Sequence, residues 1–465
     1  MKSKMPVRIK SISIRNFKNV ISGDLSFENS RKKYNASIVG LYGQNGSGKT
    51  ALIDAIAMLK FILCGYQIPS KYSDLINVDA ESASIRCSFK IGDDEDDDVY
   101  EAEYGLFFTK ATEETTVNTD GTLNHGEIKT EIVRETFSLS GERDGKRMPK
   151  QLLIDTENTA VFGPKSKYDA IVGKDRDIYT DLIVAKKLSR STSSSFIFCQ
   201  ELQNVIEKNC GLDGVSEVFA SLRWFGLRKL FVIDSEIAGR ISLNALPLII
   251  GDEKHGSVFV SLNDGAVVPE SSISIVNKVI DNMNIVLPEI VPGLKIGIRE
   301  LGSQMMRDGS AGIRIGLVSY KAGKEISLQY ESEGIKKIIA ILQLLIAVYN
   351  DNSITVAIDE LDAGVFEYLL GEILRIISEK GKGQLVFTSH NLRPLETIDT
   401  GFVAFTTTDP SDRYMRIKTS GRTKNLRDYY YRDIVLGENE GRVYVPTRNS
   451  EIALAFREAG ELYGS

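Results

Sequence analysis

Apolar and polar residues alternate with a period of two through "VRIKSISIRNF", residues 7–17, which predicts a strand with one buried face. "DLSFEN" and "ASIVGLY" continue as short strands, and the chain then enters "GQNGSGKT" and the helical "ALIDAIAMLKFIL". Two more alternating stretches, "ESASIRCSFKI" and "VYEAEYGLFFT", flank the acidic "GDDEDDD" and predict a hairpin with a solvated turn. "EIVRETFSLSG" predicts a further strand. Between residues 150 and 245 the spacing becomes helical, in "CQELQNVIEKN" and "VSEVFASLRWFGLRKLFVI", without the sustained heptads of a long coiled coil. One helix around "SISIVNKVIDNM" precedes strands at "LKIGIREL", "AGIRIGLVSY" and "EISLQY". From there the pattern runs helix, strand "ITVAID", helix "VFEYLLGEILRIISEKG", strand "QLVFTSH" and then "GFVAFTT", the alternation of a parallel sheet covered by helices. The tail carries "NLRDYYYRDI" and an amphipathic helix at "SEIALAFREAGEL".

A length of 465 residues is enough for two or three domains. With 42% hydrophobic and 26% charged residues the composition is globular. The net charge of −6 gives no sign of a generally basic nucleic-acid binder and leaves DNA binding open. Cys64, Cys87, Cys199 and Cys210 lack CxxC or zinc spacing and read as reduced core residues. The longest apolar run, "IIAILQLLIAVY", falls short of the roughly 20 residues of a membrane span. No signal-peptide pattern opens the sequence, so a soluble, cytoplasmic protein is expected.

"GQNGSGKT" matches G-x-x-x-x-G-K-[ST]. Gly43, Asn45, Gly46, Ser47 and Gly48 form a loop whose backbone N–H groups can face a phosphate, at the positive end of the following helix. Lys49 is placed to reach the β- and γ-phosphates, and the Thr50 hydroxyl to hold Mg²⁺. In "ITVAIDELDAG" a buried strand ends at Asp359, a second Mg²⁺ ligand, and Glu360 follows as the base for an attacking water. His390, one of three histidines, ends the "LVFTSH" strand where it can face the γ-phosphate. Ser332 in "YESEGIKKIIAIL" is a good helix cap, but Gly334 is a poor helix former, so capping explains only half of that stretch. Asp175 and Asp177 form a lone D-x-D, and Arg143, Lys146, Arg147 and Lys150 a basic group that reads as a solvated loop.

The order phosphate loop, Ser-Glu-Gly helix start, Asp-Glu strand end, "ELDAG" and His resembles the ABC-type ATPases of the SMC, RecF and OLD group. By motif the resemblance covers residues 6–60 and 300–408. It implies an α/β P-loop NTPase of ABC type with an antiparallel β subdomain and a mixed, mainly helical inserted lobe. The expected units are 1–145 with Walker A, 146–300 for the lobe, 301–409 with the remaining motifs, and 410–465 as an extension. Ser332 and Gly334 then look like the signature that binds a nucleotide held by a second subunit, and Asp362 like a D-loop residue acting across that interface. "IRNFKNV" resembles the family's first strands, with Arg15, Asn16 and Lys18 near the nucleotide. The Q-loop glutamine stays open between Gln67 and Gln200.

ATP and Mg²⁺ are the cofactors so implied, with slow hydrolysis that depends on a homo-oligomer of head-to-tail ATP-sandwich dimers, a hexamer among its possible forms. More narrowly the chain resembles the ATPase subunits of PARIS anti-phage systems. That resemblance implies an adjacent-gene Toprim-type nuclease as partner and a phage protein as trigger. The alternative is a RecF/SMC-like repair ATPase that clamps DNA. No Toprim set of Glu, Gly-rich turn and D-x-D follows His390, so the chain is not expected to be the nuclease itself.

Overall fold

The computed structural model describes residues 4–461 except 30–33, 94, 95, 97, 113–115, 118–122, 125–127, 243–244, 250–256, 307–308, 417–425, 437–442 and 445–447. Two six-stranded sheets organise it. The first is antiparallel, in the order Val20–Ser26, Val7–Phe17, Ser82–Ile91, Asp98–Thr112, Ile128–Arg143 and Lys146–Asp155. Alternation along Val7–Phe17 buries Val7, Ile9, Ile12 and Ile14. The phase would slip between Ile9 and Ile12, but a bulge between Ile9 and Ser11 absorbs the extra residue and keeps Ile12 and Ile14 inward. The expected hairpin pairs Ser82–Ile91 with Asp98–Thr112; part of its acidic turn lies outside the described residues.

In the second sheet the order is Leu230–Ile233, Thr355–Ile358, Gln384–Thr388, Ser37–Tyr42 and Val403–Thr406, all parallel, with Tyr414–Met415 antiparallel at the edge. Thr355–Ile358 and Gln384–Thr388 are buried at every position, as strands covered on both faces must be. Val39 and Leu41 join one core, shared with the helix Lys49–Leu63 and the antiparallel sheet. Ile38 and Tyr42 face the other core, filled by the helices Glu333–Asn350 and Glu367–Lys380. The fold is thus α/β, with the loop helix between the sheets.

The strand Leu230–Ile233 differs from the sequence reading, which carried helical spacing through "LFVI". Helix geometry ends in a wide turn at Phe225–Lys229, and the β-favouring "LFVI" pairs with Thr355–Ile358 instead. The preceding helices from Lys165 to Trp224 are short and fold back onto the antiparallel sheet, burying Leu182, Leu202, Ile206, Phe219 and Leu222. Lys146–Asp155 is the last strand of that sheet, so the basic group sits on a hairpin rather than a loop. Two of its charges are paired there, Arg143 with Asp213 at 3.4 Å and Lys150 with Glu103 at 2.9 Å, while Lys146 and Arg147 are exposed. Asp175 caps the helix Arg176–Ser191, accepting from the N–H groups of Asp177 and Ile178. A separate antiparallel sheet holds Ala266–Pro269, Ala311–Lys321, Lys295–Met305 and Lys324–Ser327. No helix among the described residues is long and apolar enough to cross a membrane.

Candidate nucleotide site

The loop from Gly43 to Thr50 joins the central strand Ser37–Tyr42 to the helix Lys49–Leu63. Gly46 and Gly48 hold left-handed φ of 75° and 93°, which a residue with a Cβ rarely adopts. No side chain caps that helix, and its first turn carries no acid, so its leading N–H groups and dipole remain for an anion. Asn45 and Gly46 are exposed at the loop's crest. Ser47 faces inward, its hydroxyl bonded to the Gln44 carbonyl at 2.6 Å and to Thr406. Lys49, 7% exposed, donates to the carbonyls of Gly43 at 2.9 Å and Gln44 at 3.0 Å. Burial pushes its ammonium below the usual lysine range, against the pull of Asp359, Glu360 and Asp362.

Asp359 ends the second strand of the sheet and is 2% exposed. Thr388 organises this end: its hydroxyl donates to Asp359 Oδ1 at 2.6 Å and accepts the Glu360 N–H at 2.7 Å. Glu360 is exposed and has a left-handed φ of 49°. His390, also exposed, stands two residues beyond the neighbouring strand. Its N–H and that of Asn391 both donate to Asp362 Oδ2 at 2.9 Å, so Asp362 ties two loops of its own chain together. Asp362 Oδ1 is buried without a partner among the described residues.

Ser332 caps the helix Glu333–Asn350, accepting from the Ile335 N–H at 3.4 Å, and is exposed. Gly334 has a reason within the chain that the sequence did not reveal. A Cβ there would lie 2.1 Å from the Gly364 carbonyl oxygen, so the helix tip rests directly on the "ELDAG" segment. Lys18 pairs with Asp54, one turn beyond Thr50 on the loop helix, and its ammonium makes no hydrogen bond to the loop among the described residues. Its neighbour Asn19 does, donating to the Gly46 carbonyl.

A family model described as the RecF/RecN/SMC N-terminal domain matches residues 8–410. The chain belongs to that family. It is therefore an ABC-type P-loop ATPase of the SMC/RecF group, in keeping with the order of motifs along the sheet. No curated protein matches it. Solved structures similar to it include an Smc head bound to the C-winged helix domain of ScpA, with 14% identity and TM-score 0.43, covering 88% of this chain and 98% of that one. The SMC head domain from Thermotoga maritima is similar at 14% identity and TM-score 0.39, over 89% and 100%. The recombination mediator protein RecF-ATPrS of the RecFOR pathway is similar at 14% identity and TM-score 0.37, over 89% and 100%.

The residues present fit a nucleoside triphosphate with its cation. The helix start leaves its leading N–H groups uncapped beside Lys49, and Thr50 and Asp359 would be the oxygen donors for Mg²⁺. Bound there, the ion would neutralise charge on the phosphate oxygens. For a Q-loop residue, neither candidate stands at the sheet. Gln67 is exposed beyond the loop helix, and Gln200 bonds Asn204 and Arg223. The strand beside Asp359 ends instead at Asp234, which is buried, accepts the Ile237 N–H at 2.9 Å and faces Lys71 at 3.5 Å. Arg413 and Tyr414 brace the loop from the edge strand. Arg413 donates to the carbonyls of Thr407 at 2.7 Å and Asn19 at 2.5 Å, and Tyr414 to that of Gly48 at 3.0 Å. Apolar strand signals pointed to "GFVAFTT", but nothing in "DRYM" marks these two as loop supports.

Proposed function

We propose that this chain hydrolyses ATP slowly at sites shared between two head-to-tail copies, and that closure of the pair acts on a separate effector protein. One observation carries the reading: Lys49 and Asp359 are buried at the loop, while the signature tip at Ser332 and the base Glu360 are exposed. An exposed tip in one copy can complete the loop site of another, its leading N–H groups meeting the γ-phosphate. Glu360 then takes the proton of the attacking water, and His390 steadies the γ-phosphate. Binding alone closes the pair; hydrolysis reopens it.

The effector in this reading is a Toprim-type nuclease encoded by the adjacent gene, in line with the resemblance to PARIS defence systems. It is held inactive on an ATPase homo-oligomer, with a hexamer as one arrangement, and released when a phage protein is sensed. No described helix exceeds 18 residues, and the helices from 165 to 224 fold back on the sheet, which favours action on a docked protein over an extended arm. The match to the RecF/RecN/SMC model favours a second reading, a repair ATPase that clamps DNA.

Co-expression with the neighbouring gene product, pull-down through a tag on one subunit, and phage challenge of Lys49→Ala and Glu360→Gln cells test the first. Protection that needs neither the neighbour nor an intact ATP site overturns it. DNA retention that strengthens with ATP and falls steeply with salt selects the clamp.

A further inference from the structure

We infer that Lys337 positions Glu360 and couples the signature tip to the base of its own chain, an inference that rests on the ATPase reading above. Lys337 lies one turn into the helix Glu333–Asn350 and is only 5% exposed. With Glu333, Lys336, Asp359 and Glu360 it lines a cleft of about 280 Å³ between that helix and the end of the strand Thr355–Ile358. Among the described residues no hydrogen bond or salt bridge engages its ammonium. A lysine withdrawn from water without a partner is costly, so such a residue calls for an account. Burial holds its ammonium below the usual lysine range, and the charges of Glu360, Asp359 and Asp362, in that order, draw it back up. Those carboxylates belong to the nucleotide site, and Asp359 and Glu360 line the same cleft.

Glu360 is the other half of the argument. Its backbone is fixed by the Thr388 hydroxyl, but its side chain bonds no described residue. A carboxylate so placed takes its direction from the local field, and a cation lining the same cleft supplies one. The helix that carries Lys337 also cannot slide freely past the strand end. Gly334 rests on the Gly364 carbonyl, with no room for even a Cβ. Displacement of the tip at Ser332 therefore bears directly on Gly364 and shifts the cation that shares a cleft with Glu360. Engagement of the tip by a neighbour's nucleotide thus reaches the base in the same chain.

The test uses the full chain with Lys337→Met and Lys337→Arg, and Glu360→Gln in parallel. Methionine keeps the apolar stem and removes a buried charge, so its melting temperature should equal or exceed that of the wild type. Its ATP affinity should stay within about twofold while kcat falls about ten- to a hundredfold, the scale of a misplaced catalytic group. Arginine should restore most of the lost kcat. Wild-type kcat in Lys337→Met, a kcat loss that merely follows lost stability or ATP affinity, or an arginine variant no better than methionine each overturns the inference. If the wild type hydrolyses ATP and Glu360→Gln does not, the ATPase reading survives that failure. Normal turnover in Glu360→Gln removes the base assignment, and the role of Lys337 with it.

Discussion

Thr388→Val removes one oxygen from the end of the sheet and should depress hydrolysis more than ATP binding. Thr388 is 1% exposed, and valine is close to it in shape, so the main change is the loss of the hydroxyl. Two bonds are lost: the donation to Asp359 Oδ1 at 2.6 Å and the acceptance of the Glu360 N–H at 2.7 Å. A hydrogen bond to a charged group contributes about 1.5–3 kcal/mol and a neutral one about 0.5–1.5 kcal/mol, so the pair amounts to about 2–4.5 kcal/mol. Glu360 sits at a left-handed φ of 49°, a conformation that itself costs about 1–2 kcal/mol. Without the anchored N–H that residue can relax and carry its carboxylate away from the water it serves. The lower bound of about 2 kcal/mol corresponds to roughly thirtyfold in the population of the competent arrangement. Steady-state ATPase assays should then show kcat about thirtyfold lower, with a smaller rise in KM because Asp359, the proposed Mg²⁺ ligand, also loses a bond. Thr388→Ser keeps the hydroxyl and should retain most of kcat. Wild-type kcat in Thr388→Val would refute the role assigned to this hydroxyl.

Glu360→Gln keeps the size of the base but not its proton affinity, so it should bind ATP, accumulate as a closed dimer by light scattering, and hydrolyse at least about a hundredfold more slowly. Ser332→Arg should bind nucleotide yet fail to hydrolyse it, and mixing it with Lys49→Ala should restore activity through the one undamaged site of a mixed dimer. Persistently dead mixtures with demonstrated subunit exchange would refute the shared site. Tyr414→Phe removes the bond to the Gly48 carbonyl at 3.0 Å and should weaken ATP binding about fivefold, the equivalent of about 1 kcal/mol, as titration with a fluorescent nucleotide can measure.

The fold was legible wherever a strand's burial pattern was strong. Val7–Phe17 announces itself by alternation, and Thr355–Ile358 by an unbroken apolar run before acids. Leu230–Ile233 was not legible, because a four-residue apolar run directly after a helix has no period of its own. Its identity depends on pairing with Thr355–Ile358, a contact more than a hundred residues distant along the chain.

The site divides along the same line. Gly43, Gly48, Lys49, Thr50 and Asp359 are local signals, since a turn, a helix start and a strand end must carry particular residues whatever surrounds them. Thr388, Arg413, Tyr414 and Lys337 have no such local mark. Each acts on a group brought to it by the sheet or by the crossing of the signature helix, so its chemistry exists only after folding. Gly334 belongs to both kinds. The poor helix former at a helix start was visible in the sequence, and the missing side chain was attributed there to a phosphate from another subunit. The Gly364 carbonyl supplies a requirement inside the chain that holds whether or not a nucleotide approaches. The two requirements are compatible. Under the proposed function, the point of contact with a neighbour would then lie on the glycine that abuts the "ELDAG" segment, and a tip held in this way would have little freedom to bind without disturbing Glu360.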